Sequence, residues 1–136
     1  MKNVYAKLQT GERHDALNDE SIAGILESLH PERNARATFY AGDDAWLSAF
    51  GCVSDGFGLS YQSSSTAPIL YCPSTFSLAE AQALVARFIR GEPGWQGSFR
   101  WRAESRAVRI GIPLLVVAII ASILILFARD IAAWFK

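Results

Sequence analysis

The sequence predicts an α+β fold: an antiparallel β-meander with two helices on one face, followed by one C-terminal transmembrane helix. Three observations carry this. Aromatic and aliphatic runs of strand length between residues 37 and 72 are separated by short Gly, Asp and Ser turns. Two segments with helical spacing of apolar residues flank that region. An uncharged stretch of 19 residues then runs from Ile110 to Ala128.

Taken in order, Val4 to Leu8 has the length of a short strand. Ser21 to Leu29 places Ile22, Ile25, Leu26 and Leu29 at i, i+3, i+4 and i+7, with Asn18 or Asp19 available as a cap. The helix should end at His30-Pro31, because the residue before a proline is pushed out of helical geometry. Four strands follow, at Ala37–Ala41, Trp46–Val53, Phe57–Gln62 and Ile69–Cys72. Their short connections imply a meander, and Asp55-Gly56 supplies the positive-φ turn of a tight hairpin. Ser77 and Glu80 form a capping box for a second helix, whose apolar face is Leu78, Ala81, Leu84, Val85, Phe88 and Ile89. Gly91 stops it, with Pro93 just beyond. A last strand is expected over Ser98–Arg102, and Trp95, Phe99 and Trp101 lead there either as that edge or as an interfacial stretch.

At 136 residues the chain has room for one domain, expected over residues 1–103, with a basic stalk, span and short tail over 104–136. The 51% hydrophobic content is inflated by the tail, yet residues 1–97 hold enough Trp, Phe, Leu and Ile to build a core. The formal charge of zero conceals two halves of opposite sign. Residues 1–97 carry seven Lys/Arg against eleven Asp/Glu, a net of minus four, and residues 98–136 a net of plus four. An acidic domain is a poor nucleic-acid binder and suits a partner with a basic surface.

The stretch Ile110–Ala128 would form about 28 Å of helix, close to the hydrocarbon thickness of a bilayer. Ser122 is its only hydroxyl, and it can bond back to its own helix. Gly111 and Pro113 fall in the first turns, where missing backbone bonds cost least. Arg100, Arg102, Arg106 and Arg109 precede the stretch, while only Arg129 and Lys136 follow it. Basic flanks resist translocation, so the N-terminal domain is expected in the cytoplasm, with a single pass through a bacterial inner membrane. No signal-peptide hydrophobic region is read at the N-terminus. Trp134, Phe135 and Lys136 would anchor the far interface.

No catalytic constellation is legible, and neither an enzyme nor a metal or other cofactor is expected. His14 and His30 fall in loop or helix-end positions. Gly56-Phe57-Gly58 lacks the helix and third glycine of a dinucleotide site. Asp43, Asp44 and Asp55 could group as carboxylates on one rim of the sheet, as a metal site or an acid pair would, but turn chemistry explains them as well. Cys52 and Cys72 lie in apolar runs without metal-ligand spacing and read as buried free thiols.

One pattern goes further. The strand and Gly-Asp-Asp turn within Thr38–Leu47, then Gly58-Leu59-Ser60-Tyr61, Ile69-Leu70-Tyr71, and a helix from Ser77-Leu78-Ala79-Glu80-Ala81 to Arg87-Phe88-Ile89-Arg90-Gly91 with Trp95 beyond, resemble the Imm1-type immunity proteins of bacterial polymorphic toxin systems. The similarity covers about residues 18–101 and rests on fold-determining residues, so it assigns no contact residue; the C-terminal span departs from the compact soluble pattern. It implies a membrane-anchored immunity or antitoxin protein that binds and neutralises a cognate toxin. From the residues themselves, the candidate contacts are Asp43, Asp44, Trp46, Asp55 and Tyr61, taken as exposed acidic and aromatic groups on the turns. The alternative is a single-pass structural or adaptor subunit of a membrane protein complex.

Overall fold

Strands β1 (Val4–Leu8), β2 (Arg13–His14), β3 (Arg36–Ala41), β4 (Trp46–Cys52), β5 (Gly56–Gln62), β6 (Leu70–Phe76) and β7 (Arg102–Ala103) form one antiparallel sheet. Their order across the sheet is β2-β1-β3-β4-β5-β6-β7. Helices α1 (Asp19–Glu27) and α2 (Leu78–Ile89) pack on it, and a third helix, α3, runs over 116–129. These assignments come from a computed structural model that describes residues 2–97, 99–103 and 116–129. The chain divides into two compact units, Met1–Glu104 and Ser105–Lys136.

Period-two alternation decides which face of the sheet is buried. Ala6 and Leu8 of β1, Ala37 and Phe39 of β3, Leu47 and Ala49 of β4, Phe57 and Leu59 of β5, and Cys72 and Phe76 of β6 all enter one core. Ile22, Ile25 and Leu26 of α1 and Ala81, Leu84, Val85 and Phe88 of α2 close it from above. Phe39, Phe57 and Phe76 are at most 1% exposed, and each such ring contributes about 1.5–3 kcal/mol of transfer free energy.

Capping fixes where both helices begin. The Asn18 side chain accepts from the Ser21 amide at 2.8 Å while the Ser21 hydroxyl accepts from the Asn18 amide at 2.8 Å. Ser77 and Glu80 make the same reciprocal pair at the start of α2, as the sequence predicts. Helix α1 ends earlier than the His30-Pro31 rule implies, with Ser28 as its C-cap; His30 instead pairs with Asn34 as an isolated β-bridge. At the end of α2, Glu92 accepts from Arg90 at 2.8 Å and from Arg87 at 3.1 Å. Those two bonds, that from Arg90 foremost, hold its carboxyl below the ordinary carboxylate range.

Several expectations are corrected. The two-residue strand β2 was not foreseen: Arg13-His14 carries no apolar alternation and is strand only because it pairs with Lys7 and Ala6. Strand β6 runs on to Phe76 past Pro73, because its register shifts against β5 between Phe57 and Leu59. The β4–β5 connection is a three-residue turn, Val53 to Asp55, and the positive φ of +86° falls on Gly56, which opens β5. The last strand is Arg102–Ala103 rather than Ser98–Arg102, and Ser98 lies outside the described residues. Trp95 is no interfacial residue: it is 8% exposed and sits 4.8 Å from Tyr61, 5.2 Å from Phe88 and 5.5 Å from Trp101, ring centre to ring centre.

Of the expected span Ile110–Ala128, residues 116–128 are described and lie in α3, where the Ser122 hydroxyl donates to the Ala118 carbonyl at 2.8 Å. Among the described residues no helix is long and apolar enough to cross a membrane. Residues 110–115 and the anchor Trp134–Lys136 lie outside them.

Two glycines give opposite stability predictions. Gly51 has φ +121°, and a Cβ there would meet the Gly56 carbonyl oxygen, so Gly51→Ala should lower the unfolding free energy by about 2 kcal/mol or more. Gly24 lies inside α1 with open space around it, so Gly24→Ala should raise stability by about 1 kcal/mol in the same denaturation experiment. The Glu92 clamp has a defined pH sign. A lowered carboxylate pKa stabilises the fold at neutral pH, and that stabilisation disappears as pH falls through the lowered pKa. The stability gap between wild type and Glu92→Gln should therefore be present at neutral pH and close on acidification.

Candidate functional site

Two helices cover one face of the sheet, and the residues of opposite parity line the other. In-register pairs build that second face row by row. One row holds Tyr5, Tyr40, Trp46 and Gln62. The Tyr5 and Tyr40 rings stack at 4.6 Å, and Trp46 Nε1 donates to Gln62 Oε1 at 2.9 Å. The next row crosses all seven strands as Arg13, Lys7, Thr38, Ser48, Ser60, Tyr71 and Arg102. Thr38 Oγ1 and Ser48 Oγ share a hydrogen bond of 2.9 Å, which accounts for the buried Ser48 hydroxyl. A third row sets Arg36 beside Phe50, whose ring lies over Gly58.

Charge follows this geometry. None of the residues in the seven strands is Asp or Glu, whereas Lys7, Arg13, Arg36 and Arg102 all belong to the uncovered face. The Arg13 guanidinium lies 3.9 Å from the Tyr5 ring centre, a cation–π contact, and also bonds Asp15 at 2.8 Å. The acidic groups sit elsewhere. Helix α1 carries Asp19, Glu20 and Glu27 and no basic residue.

The end of the sheet nearest the C-terminus of α1 forms an open cleft of about 600 Å³, lined by Glu27, Leu29, His30, Pro31, Glu32, Cys52, Val53, Ser54 and Asp55. Its charged groups are carboxylates, with no Lys or Arg in the lining. The Cys52 sulfur approaches Asp55 Oδ2 at 3.3 Å and Ser54 Oγ at 3.2 Å, and Cys52 and Cys72 are both free and buried. His30 Nδ1 accepts from the Glu32 amide at 3.3 Å. His14 is elsewhere, 3.2 Å from Glu12. Among the described residues no three His, Cys, Asp or Glu side chains are placed to hold a metal ion.

The five sequence candidates are not brought together. Asp43 and Asp44 lie in the β3–β4 turn and Asp55 in the β4–β5 turn, at opposite ends of β4 and about 20 Å apart at strand rise. Trp46 belongs to the uncovered face. Tyr61 lies within β5 rather than on a turn, and its ring is enclosed by Phe88, Trp95 and Trp101. The cleft carboxylates Glu27 and Glu32 and the cations of the open face escape a sequence reading. The signal for the cations was present in the parity of Lys7, Thr38 and Tyr40 against Ala6, Phe39 and Leu8, but the pairing that aligns them was not.

No protein-family model, curated protein or solved structure matches the chain. The class defined by the geometry is an α+β domain with one covered and one open sheet face.

The two faces differ in what they contribute to folding. Phe39→Ala should cost about 3–5 kcal/mol in chemical denaturation, as for a core aromatic. Phe50→Ala, at a ring already 40% exposed, should cost about 1 kcal/mol or less.

Proposed function

We propose that this is a single-pass, membrane-anchored immunity protein of a bacterial inner membrane, whose cytoplasmic domain binds and neutralises a cognate toxin. The observation that carries the reading is the acidic end of the domain, where Glu27, Glu32 and Asp55 surround a cleft without a compensating cation. A toxin acting on nucleic acid or nucleotides presents a basic active surface, and a carboxylate-lined cleft can occupy that surface in place of its substrate. Steering between opposite charges would raise the encounter rate, which suits an inhibitor that must act before its target does. Asp55 is the residue shared with the sequence candidates. The anchor is the apolar stretch Ile110–Ala128 with its arginine-rich N-terminal flank.

Co-expression with a candidate toxin gene taken from the neighbourhood of this one provides the test. Wild type should restore growth and co-purify with the toxin. Glu27→Lys, Glu32→Lys and Asp55→Lys together should abolish protection at unchanged expression, since breaking close interfacial charge pairs costs about 2–5 kcal/mol each. Absence of protection and of any complex with wild type contradicts the reading. Recovery of several membrane subunits in stoichiometric amounts from mild detergent would favour an adaptor instead.

A further inference from the structure

We infer that the uncovered face of the sheet is a docking surface for an anionic lipid bilayer. Its side chains are of two kinds that suit a headgroup region. Lys7, Arg36 and Arg102 supply positive charge, joined by Arg13 in its ion pair with Asp15, and no strand residue is a carboxylate. Tyr5, Tyr40, Trp46, Phe50 and Tyr71 supply amphipathic or apolar rings, of which Phe50 and Tyr71 are each 40% exposed.

The spread of the cations selects the occupant. From Arg13 to Arg102 the charged row crosses six strand spacings, about 29 Å, with hydroxyls between its ends. Charge distributed over that width matches an extended anionic plane. Two cationic faces repel, so a second copy of the domain does not pack there face to face. Chain length favours the bilayer as well. Six residues separate Ala103 from Ile110, so a span beginning there would keep β7 within about 25 Å of the membrane surface. The inference takes only this tether from the anchor proposed above, and the charge argument stands without it.

The test uses the full chain with nanodiscs of neutral phosphatidylcholine or of phosphatidylcholine containing phosphatidylglycerol, each doped with headgroup-nitroxide lipid. Quenching of Trp46 is read as the difference between wild type and Trp46→Phe. Strong quenching is expected in anionic discs and little in neutral ones. Lys7→Gln, Arg36→Gln and Arg102→Gln should each lower the docked population about fivefold, one basic residue at an anionic surface being worth that factor. Retention by neutral discs reports the anchor separately. Chain held only by anionic discs, with Trp46 quenched, supports the docking face even if the anchor fails. Trp46 unquenched in anionic discs overturns the inference and leaves an acidic protein surface as the occupant. Equal quenching in both discs, or quenching that persists in the glutamine variants, also overturns it.

Discussion

Two helices of nine and twelve residues can cover only one face of a seven-stranded sheet, and the rest of the domain follows from that. A strand alternates its side chains, so covering one face dictates that every second residue is apolar and tightly packed and leaves its neighbours free. Ala6, Phe39, Leu47, Phe57 and Leu59 meet Ile22, Leu26, Val85 and Phe88 with almost no exposure. A one-residue slip of any central strand would exchange these for Lys7, Tyr40, Ser48, Gly58 and Ser60, so the core also fixes register. Once register is fixed, the cations and rings of the other parity are aligned into rows at no further cost.

Charge is partitioned along the same boundary. Strand positions hold Lys and Arg but no Asp or Glu, while α1 and the turns hold most of the acid. The domain is thereby two-sided, and the net charge of minus two over residues 1–103, nine Lys/Arg against eleven Asp/Glu, describes neither side. The acidic end carries the proposed toxin contact and the cationic face the proposed lipid contact. A partner can thus be engaged without competing with the membrane for one surface.

Much of the fold was legible because its signals are local. The capping box at Ser77 and Glu80, the i, i+3, i+4 spacing of Ile22, Ile25 and Leu26, and the alternation of Ala37 with Phe39 each name an element without knowledge of its neighbours. What was missed depends on pairing. Arg13-His14 and Arg102-Ala103 are strands only by virtue of β1 and β6, and the run of β6 past Pro73 needs the bulge opposite Gly58. The candidate contacts fared less well for the same reason. Asp43, Asp44 and Asp55 read as one rim, yet consecutive hairpin turns fall at opposite ends of β4. Tyr61 read as an exposed aromatic, but odd parity in β5 turns it toward Phe88 and Trp95. The acidic cleft joins α1 to the β4–β5 turn, residues far apart in the chain, and no local pattern announces it.

The central claim is that the sheet is sealed on one side and open on the other. Hydroxyl-radical footprinting of the full chain in detergent, read by mass spectrometry at single residues, tests it most directly. Phe50 and Tyr71 should be oxidised rapidly while Phe39, Phe57 and Phe76 stay protected until the protein unfolds. Equal protection of both sets, or faster oxidation of Phe39 than of Phe50, would contradict the account.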